Sequence, residues 1–286
     1  MTENGWLRLM NLSDKKYYKE VFTLHVDDSY TLMANSSSKG NQRKWYYPQG
    51  NMYVKDQFIY RDEAWKDYLV EIIASEIIRQ CDTHYRYVDY YKAFIIDTNG
   101  KESVGCVSKN FLTEDEELVT VYRCMKREDD FWQNYPDLLS KWKCLSENFE
   151  KLCGKNCDEY LSFMFLVDYL ICNEDRHLNN IALMNNVVTD AYYPAPLFDF
   201  GLGLLQASDC YEIPLARVKK RLMMKPFGRD VDKIIDFILE KYDSRYLLPK
   251  CLNLSDCVFP SYKSWLLLKS NAEHLGVKVV GGELHD

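Results

Sequence analysis

The amino-acid sequence predicts an α+β fold in two lobes, strand-rich over residues 1–122 and mainly helical over 123–286. Three observations predict it. Short β-branched and aromatic runs separated by polar turns crowd the first part. Apolar spacing of three and four residues takes over in the second. One stretch of that second part, 157–172, is apolar nearly all round (Leu161, Phe163, Met164, Phe165, Leu166, Val167, Leu170, Ile171), the pattern of a helix at the centre of a domain. No internal repeat or Gly/Ser linker divides the chain, so two lobes on a short hinge fit better than two independent domains.

Taken in order, residues 21–26, 30–34, 44–47 and 52–60 are expected strands, with polar turns at 35–42 and at Pro48-Gln49-Gly50. Residues 64–80 are an expected helix, because Leu69, Ile72, Ile73, Ile77 and Ile78 recur at helical spacing. Segments 87–97 and 101–108 flank Asn99-Gly100, a strong hairpin signal. Residues 118–125 are a further expected strand. Helices are expected at 129–143, 157–172, 230–242 and 261–275.

Composition narrows the class. With 47% hydrophobic and 14% aromatic residues the chain can build a core, which excludes disordered and low-complexity classes. Lys and Arg number 36 against 43 Asp and Glu, a net charge of −7. A nucleic-acid surface needs a basic face, so direct nucleic-acid binding is not expected. One local phosphate pocket remains compatible with that charge. The 22 tyrosines suit packing with the ring buried and the hydroxyl wet. None of the ten cysteines forms C-x-x-C, and the tightest pair, Cys153 and Cys157, lacks neighbours at zinc-like spacing. They are expected as buried thiols in a reducing compartment. The first residues show no basic region followed by an apolar run, and Asp168 interrupts the longest apolar stretch. No run approaches the ~20 residues of a membrane span. The expected location is the cytoplasm, or secretion as an effector.

The chemistry concentrates after the central helix. Asn173-Glu174-Asp175-Arg176-His177-Leu178-Asn179-Asn180 is followed by Leu197-Phe198-Asp199-Phe200-Gly201. An Asp, an Asn five residues later and a separate Asp before Phe-Gly are what phosphoryl transfer needs. Asp175 would orient the attacking hydroxyl and accept its proton. Asn180 and Asp199 would supply oxygens to Mg²⁺, a hard cation that keeps several waters and so needs few side chains. Phe198 and Phe200 would anchor the turn, and Gly201 would let it bend. Upstream, such an enzyme needs a strand Lys for the phosphates and a helix Glu to hold it. Lys55 stands in a strand context and Glu71 sixteen residues later on the expected helix, with Glu76 as the competing partner. The polar turn with Ser37, Lys39, Gly40, Asn41, Gln42 and Lys44 would cover the phosphates of ATP through backbone N–H groups, hydroxyls and charge.

These phrases resemble the HipA-like serine/threonine kinases. The catalytic phrase of that family is matched by Asn173, Asp175, His177 and Asn180, and its loop phrase by Ser37, Gly40, Gln42 and Lys44. The resemblance spans about residues 35–201 and is nearer to the short, single-core members, because only the residues before Val21 precede the first expected strand. It implies a two-lobed protein-kinase-like fold with ATP and Mg²⁺ in the cleft. Asp175 would act as base, with Lys55, Glu71 and His177 completing the catalytic set. Ser37 would be autophosphorylated, with Ser36 and Ser38 as neighbouring alternatives. A phosphate there adds about −1.5 to −2 charges and would oppose nucleotide binding. Val121, Tyr122, Arg123 and Cys124 are the expected adenine hinge. The resemblance also implies a protein substrate, a toxin or effector role in a bacterium, and an antitoxin partner. Asp-Arg-His-x-x-Asn before Asp-Phe-Gly is equally the phrase of phosphatidylinositol 3/4-kinases. That keeps a lipid or small-molecule kinase as the alternative, with the basic run 217–221 and Leu222, Met223 and Met224 as its membrane-facing candidate.

Overall fold

The structure is a computed structural model that describes residues 22–27, 29–32, 43–60, 63–125, 135–205, 224–225, 227–228 and 231–284. The expected phosphate loop (Ser36, Ser37, Ser38, Lys39, Gly40, Asn41, Gln42), the basic run 217–221 and residues 129–134 lie outside the described residues.

Six strands form the first sheet, in the order β1-β7-β8-β4-β3-β2. β1 (Phe22–His25) runs parallel to β7 (Tyr91–Ile96), and every other neighbouring pair is antiparallel. β2 is Thr31–Leu32, β3 Lys44–Tyr47, β4 Met52–Asp56 and β8 Glu102–Lys109. Between β7 and β8, Gly100 takes a φ of 74°, and the Asp97 carboxylate accepts from the Asn99 and Lys101 N–H groups. Period-two alternation buries Met52, Val54 and Asp56 on one face of β4, which places Tyr53 and Lys55 on the other. Met52 and Val54 pack with Phe22, Leu24, Trp45, Ala93, Ile95 and Val107 in a core of their own.

Two expectations change in this half. The strand expected over 52–60 breaks at Gln57, whose N–H donates to the Val104 carbonyl at 3.0 Å. Its second piece, β5 (Phe58–Tyr60), pairs with β6 (Glu63–Trp65). That ladder takes the first residues of the expected helix, so α1 runs over Asp67–Arg79. The strand expected over 118–125 splits as well. β9 (Glu116–Thr120) ends where α2 (Val121–Met125) begins. β9, assigned from the sequence to the first lobe, pairs instead with β10 (Ala182–Asn186) of the helical half, which in turn pairs with β11 (Ala191–Pro194).

The helical half is built on α3 (Leu138–Cys153), α4 (Asp158–Leu170), α5 (Val231–Tyr242) and α6 (Tyr262–His274). Of the helix expected over 129–143, the described residues 135–137 are not helical, and α3 begins after Pro136. The residue before a proline disfavours helix, and Asp137 caps the new start by accepting from the Ser140 N–H at 2.9 Å. α4 is the all-round apolar segment, and nearly all of it is buried. Its Phe163 and Phe165 share a core with Trp142, Phe149, Ile235 and Ile238, and one face of α1 (Val70, Ile73, Ile77) joins the same core. Small parallel pairs close the chain: β12 (Cys251–Asn253) with β14 (Lys278–Val280), and β13 (Val258–Phe259) with β15 (Glu283–Leu284). Among the described residues no helix is long and apolar enough to cross a membrane.

Candidate active site

Lys55 sits at the meeting of β4, α1 and the Asp199 loop. Its Nζ lies 2.6 Å from Glu71 Oε1, 3.3 Å from Asp199 Oδ1 and 3.8 Å from Asp67 Oδ2. Helical spacing puts Asp67 and Glu71 one turn apart on the same face of α1. Burial disfavours a charged Lys55, but Glu71, Asp199 and Asp67 outweigh it and hold the ammonium protonated well above its ordinary range. The fully buried Glu71 uses its second oxygen to accept from the Phe200 N–H at 2.9 Å. One carboxylate thus ties the strand lysine to the backbone of the Asp-Phe-Gly turn. Glu76, the competing partner, instead pairs with Arg79 and accepts from Gln80.

Asp199 carries the sharp bend itself, with a φ of 60°. Gly201, expected to supply it, acts by close approach. A Cβ there would lie 3.2 Å from both Glu71 Oε1 and Lys55 Nζ. Burial pushes the Asp199 carboxyl up, yet the Lys55 and Lys44 cations prevail and hold it well below the usual carboxylate range. Lys44 pairs in register with Lys55 across β3 and β4. Burial lowers its affinity for a proton, and Asp199 only partly offsets that.

The catalytic phrase follows α4 as a series of tight turns. Asp175 donates its N–H to Asn173 Oδ1 at 3.1 Å, and Asn180 Nδ2 donates to the Asp175 carbonyl at 3.3 Å. His177 Nε2 stands 3.8 Å from Asp175 Oδ2. Arg176 turns the other way, into the core. It grips Asp168 of α4 with Nε and Nη2, while Nη1 donates to the carbonyls of Asn180 (2.8 Å) and Phe198 (2.9 Å). That guanidinium stitches the catalytic loop to the Asp199 loop and lies 4.8 Å from the Phe200 ring centroid.

The sequence resemblance implies a divalent cation. Asn180 Oδ1 is buried without a hydrogen-bond partner, and Asp199 is held ionised. Both are hard oxygen donors and fit Mg²⁺. Among the described residues no group of three or more His, Cys, Asp or Glu side chains is placed to hold a metal.

The cleft beside Lys55 combines charged and apolar lining residues. Lys44, Lys55 and Asp199 give it charge, Val88, Cys106, Phe111 and Phe198 give it apolar wall, and Tyr53, Tyr90 and Ser108 also line it. Tyr90 Oη accepts from the Asp199 N–H at 3.4 Å. Val121, Tyr122, Arg123 and Cys124, the expected adenine hinge, do not line it. Val121 is buried in the helical core, and the Val121 and Tyr122 N–H groups donate to the Ile181 and Leu178 carbonyls. The end of β8 and the chain leaving it line the cleft instead, through Ser108 and Phe111.

Sequence reasoning missed Asp67, Phe111, and the Arg176–Asp168 clamp. A lone Asp inside an otherwise apolar helix was the available signal for the clamp, because a buried charge demands a partner.

No family model and no curated protein matches the chain. Among solved structures it is similar to the proinflammatory kinase CtkA of Helicobacter pylori, at 16% identity and a TM-score of 0.50, over 88% of this chain and 93% of that one. It is also similar to HipA of Shewanella oneidensis, solved with HipB and operator DNA, at 10% identity and a TM-score of 0.38, over 93% of this chain and 66% of that one. The likeness to CtkA is one of fold. It gives the two-lobed, kinase-like α+β architecture that the sequence resemblance implied.

Proposed function

We propose that the chain is an ATP- and Mg²⁺-dependent serine/threonine protein kinase of the HipA-like type. The observation that carries this reading is the Lys55–Glu71 ion pair, 2.6 Å long, with Lys55 3.3 Å from Asp199 in a cleft that Val88, Cys106, Phe111 and Phe198 also line. A cleft lined by apolar side chains and two lysines suits a purine carrying a polyphosphate. The adenine edge is placed at Ser108–Phe111, and the lobes divide between β8 and β9.

In this reading Lys55 and Lys44 bind phosphate oxygens, and Glu71 fixes the direction of Lys55. Asn180 and Asp199 would hold the cation, which would supply positive charge to offset the negative charge of the nucleotide phosphates. Asp175 accepts the proton of the attacking hydroxyl, and His177 stands beside it. The loop residues Ser37, Lys39, Gly40, Asn41 and Gln42 cover the phosphates, and Ser36, Ser37 or Ser38 is the autophosphorylated position. The acceptor is a protein. A cytoplasmic location, or secretion as an effector, and an antitoxin partner belong to the same proposal.

A crystal structure with a non-hydrolysable ATP analogue and Mg²⁺ tests the reading. Lys55 should reach the phosphates, and Asn180 and Asp199 the metal. A Lys55 pointing away from the nucleotide would overturn the assignment.

A further inference from the structure

The catalytic phrase brings no ammonium and no free guanidinium of its own to the base. Arg176 has no exposed surface and is committed to Asp168 and two carbonyls. No lysine stands between Asp175 and Asn180. The cation at Asp175 comes from fifty residues downstream: Lys225 Nζ donates to Asp175 Oδ1.

This is not a wandering surface lysine. Met224 and Phe227 on either side of it are buried, and the Phe227 ring lies 4.9 Å from Phe165 and 6.0 Å from Trp142. The Phe227 and Gly228 N–H groups both donate to the Met224 carbonyl at 2.8 Å. A turn anchored in the helical core therefore presents Lys225, whose side chain stays 38% exposed, to Asp175. An ammonium has three donors, and the bond to Asp175 uses one.

We infer, on the reading of the chain as a phosphotransferase, that Lys225 is a further catalytic residue that contacts the transferring phosphoryl group. The acceptor hydroxyl gives its proton to Asp175 as its oxygen bonds to the γ-phosphorus. The bond from that phosphorus to the β,γ-bridging oxygen breaks, and ADP leaves with the electron pair. Lys225 keeps its proton throughout and offsets the negative charge gathered between base and phosphoryl oxygens.

The test is steady-state transfer from labelled MgATP to casein and to the chain itself, with wild type, Lys225→Met and Lys225→Arg, alongside thermal melting. Lys225→Met should lower kcat ~100-fold with KM for ATP held within about twofold, and Lys225→Arg should recover part of the loss. The melting temperature should not move. A Lys225→Met rate equal to or above wild type would overturn the inference, since Lys225 would then be a bystander or an ionic plug. Equal losses in both variants with a raised KM and a lower melting temperature would overturn it in favour of a structural prop. A wild type that transfers nothing to either acceptor would overturn the kinase reading itself.

Discussion

Arg176 and Asp168 face each other fork to fork, both without exposed surface, with Nε 2.8 Å from Oδ2 and Nη2 3.0 Å from Oδ1. Asn173 Nδ2 donates to the same carboxylate at 2.8 Å. The pair joins the central helix to both loops that carry the proposed chemistry. A buried pair is not strongly stabilising relative to apolar packing, but breaking it leaves an unpaired charge in the core.

Arg176→Ala and Asp168→Ala should therefore each destabilise the fold by about 3–5 kcal/mol, measured by urea denaturation. Arg176→Lys should also be destabilising, because an ammonium cannot reproduce two parallel bonds and still reach both carbonyls. A loss below about 1 kcal/mol for Arg176→Ala would show that the clamp does not hold the loops.

Gly201→Ala is expected to separate activity from stability. The added Cβ meets Glu71 Oε1 and Lys55 Nζ at 3.2 Å each, a tight contact that shifts the ion pair by a few tenths of an ångström. Phosphoryl transfer should fall about 10- to 100-fold, given the sensitivity of such reactions to small displacements. Thermal melting should stay near wild type. Unchanged transfer would mean that the pair tolerates movement.

Asn180→Ala removes the buried, unpartnered oxygen assigned to the cation. The Mg²⁺ concentration for half-maximal transfer should rise about tenfold or more, and chelation should abolish transfer in wild type. A variant with wild-type Mg²⁺ dependence would place the cation elsewhere.

Cysteine reactivity should follow burial. Burial pushes the Cys81 and Cys257 thiols up to about 12, whereas Cys251 is exposed. Iodoacetamide at pH 8, read by peptide mass spectrometry, should label Cys251 in the folded chain and reach Cys81 and Cys257 only after unfolding. Rapid labelling of Cys257 in the native chain would contradict the packing of β13.

How much of this was legible in the sequence depended on distance along the chain. The helices around Ile73, Phe165 and Ile235 show their period locally. Asp175 and Asn180 lie within one turn-rich phrase, and Asp199 sits between two phenylalanines. The β5–β6 ladder was not legible, because Ala64 and Trp65 also suit a helix start and only pairing with Phe58 and Ile59 decides between them. Nor was the end of the strand at Thr120. Val121 turns because its N–H meets the Ile181 carbonyl, sixty residues away. The bend expected of Gly201 falls on Asp199, since Glu71 and Lys55 crowd the glycine instead. In each instance a tertiary contact outweighed a local preference.

The central claim is transfer of the γ-phosphoryl group of ATP with Asp175 as base. Its most direct test is incubation of the full chain with γ-labelled ATP and Mg²⁺, with phosphosite mapping of wild type and Asp175→Ala. The account predicts label on Ser36, Ser37 or Ser38 in wild type and a loss of rate of ~100-fold or more in Asp175→Ala. Absence of label in wild type, or equal labelling of Asp175→Ala, would contradict it.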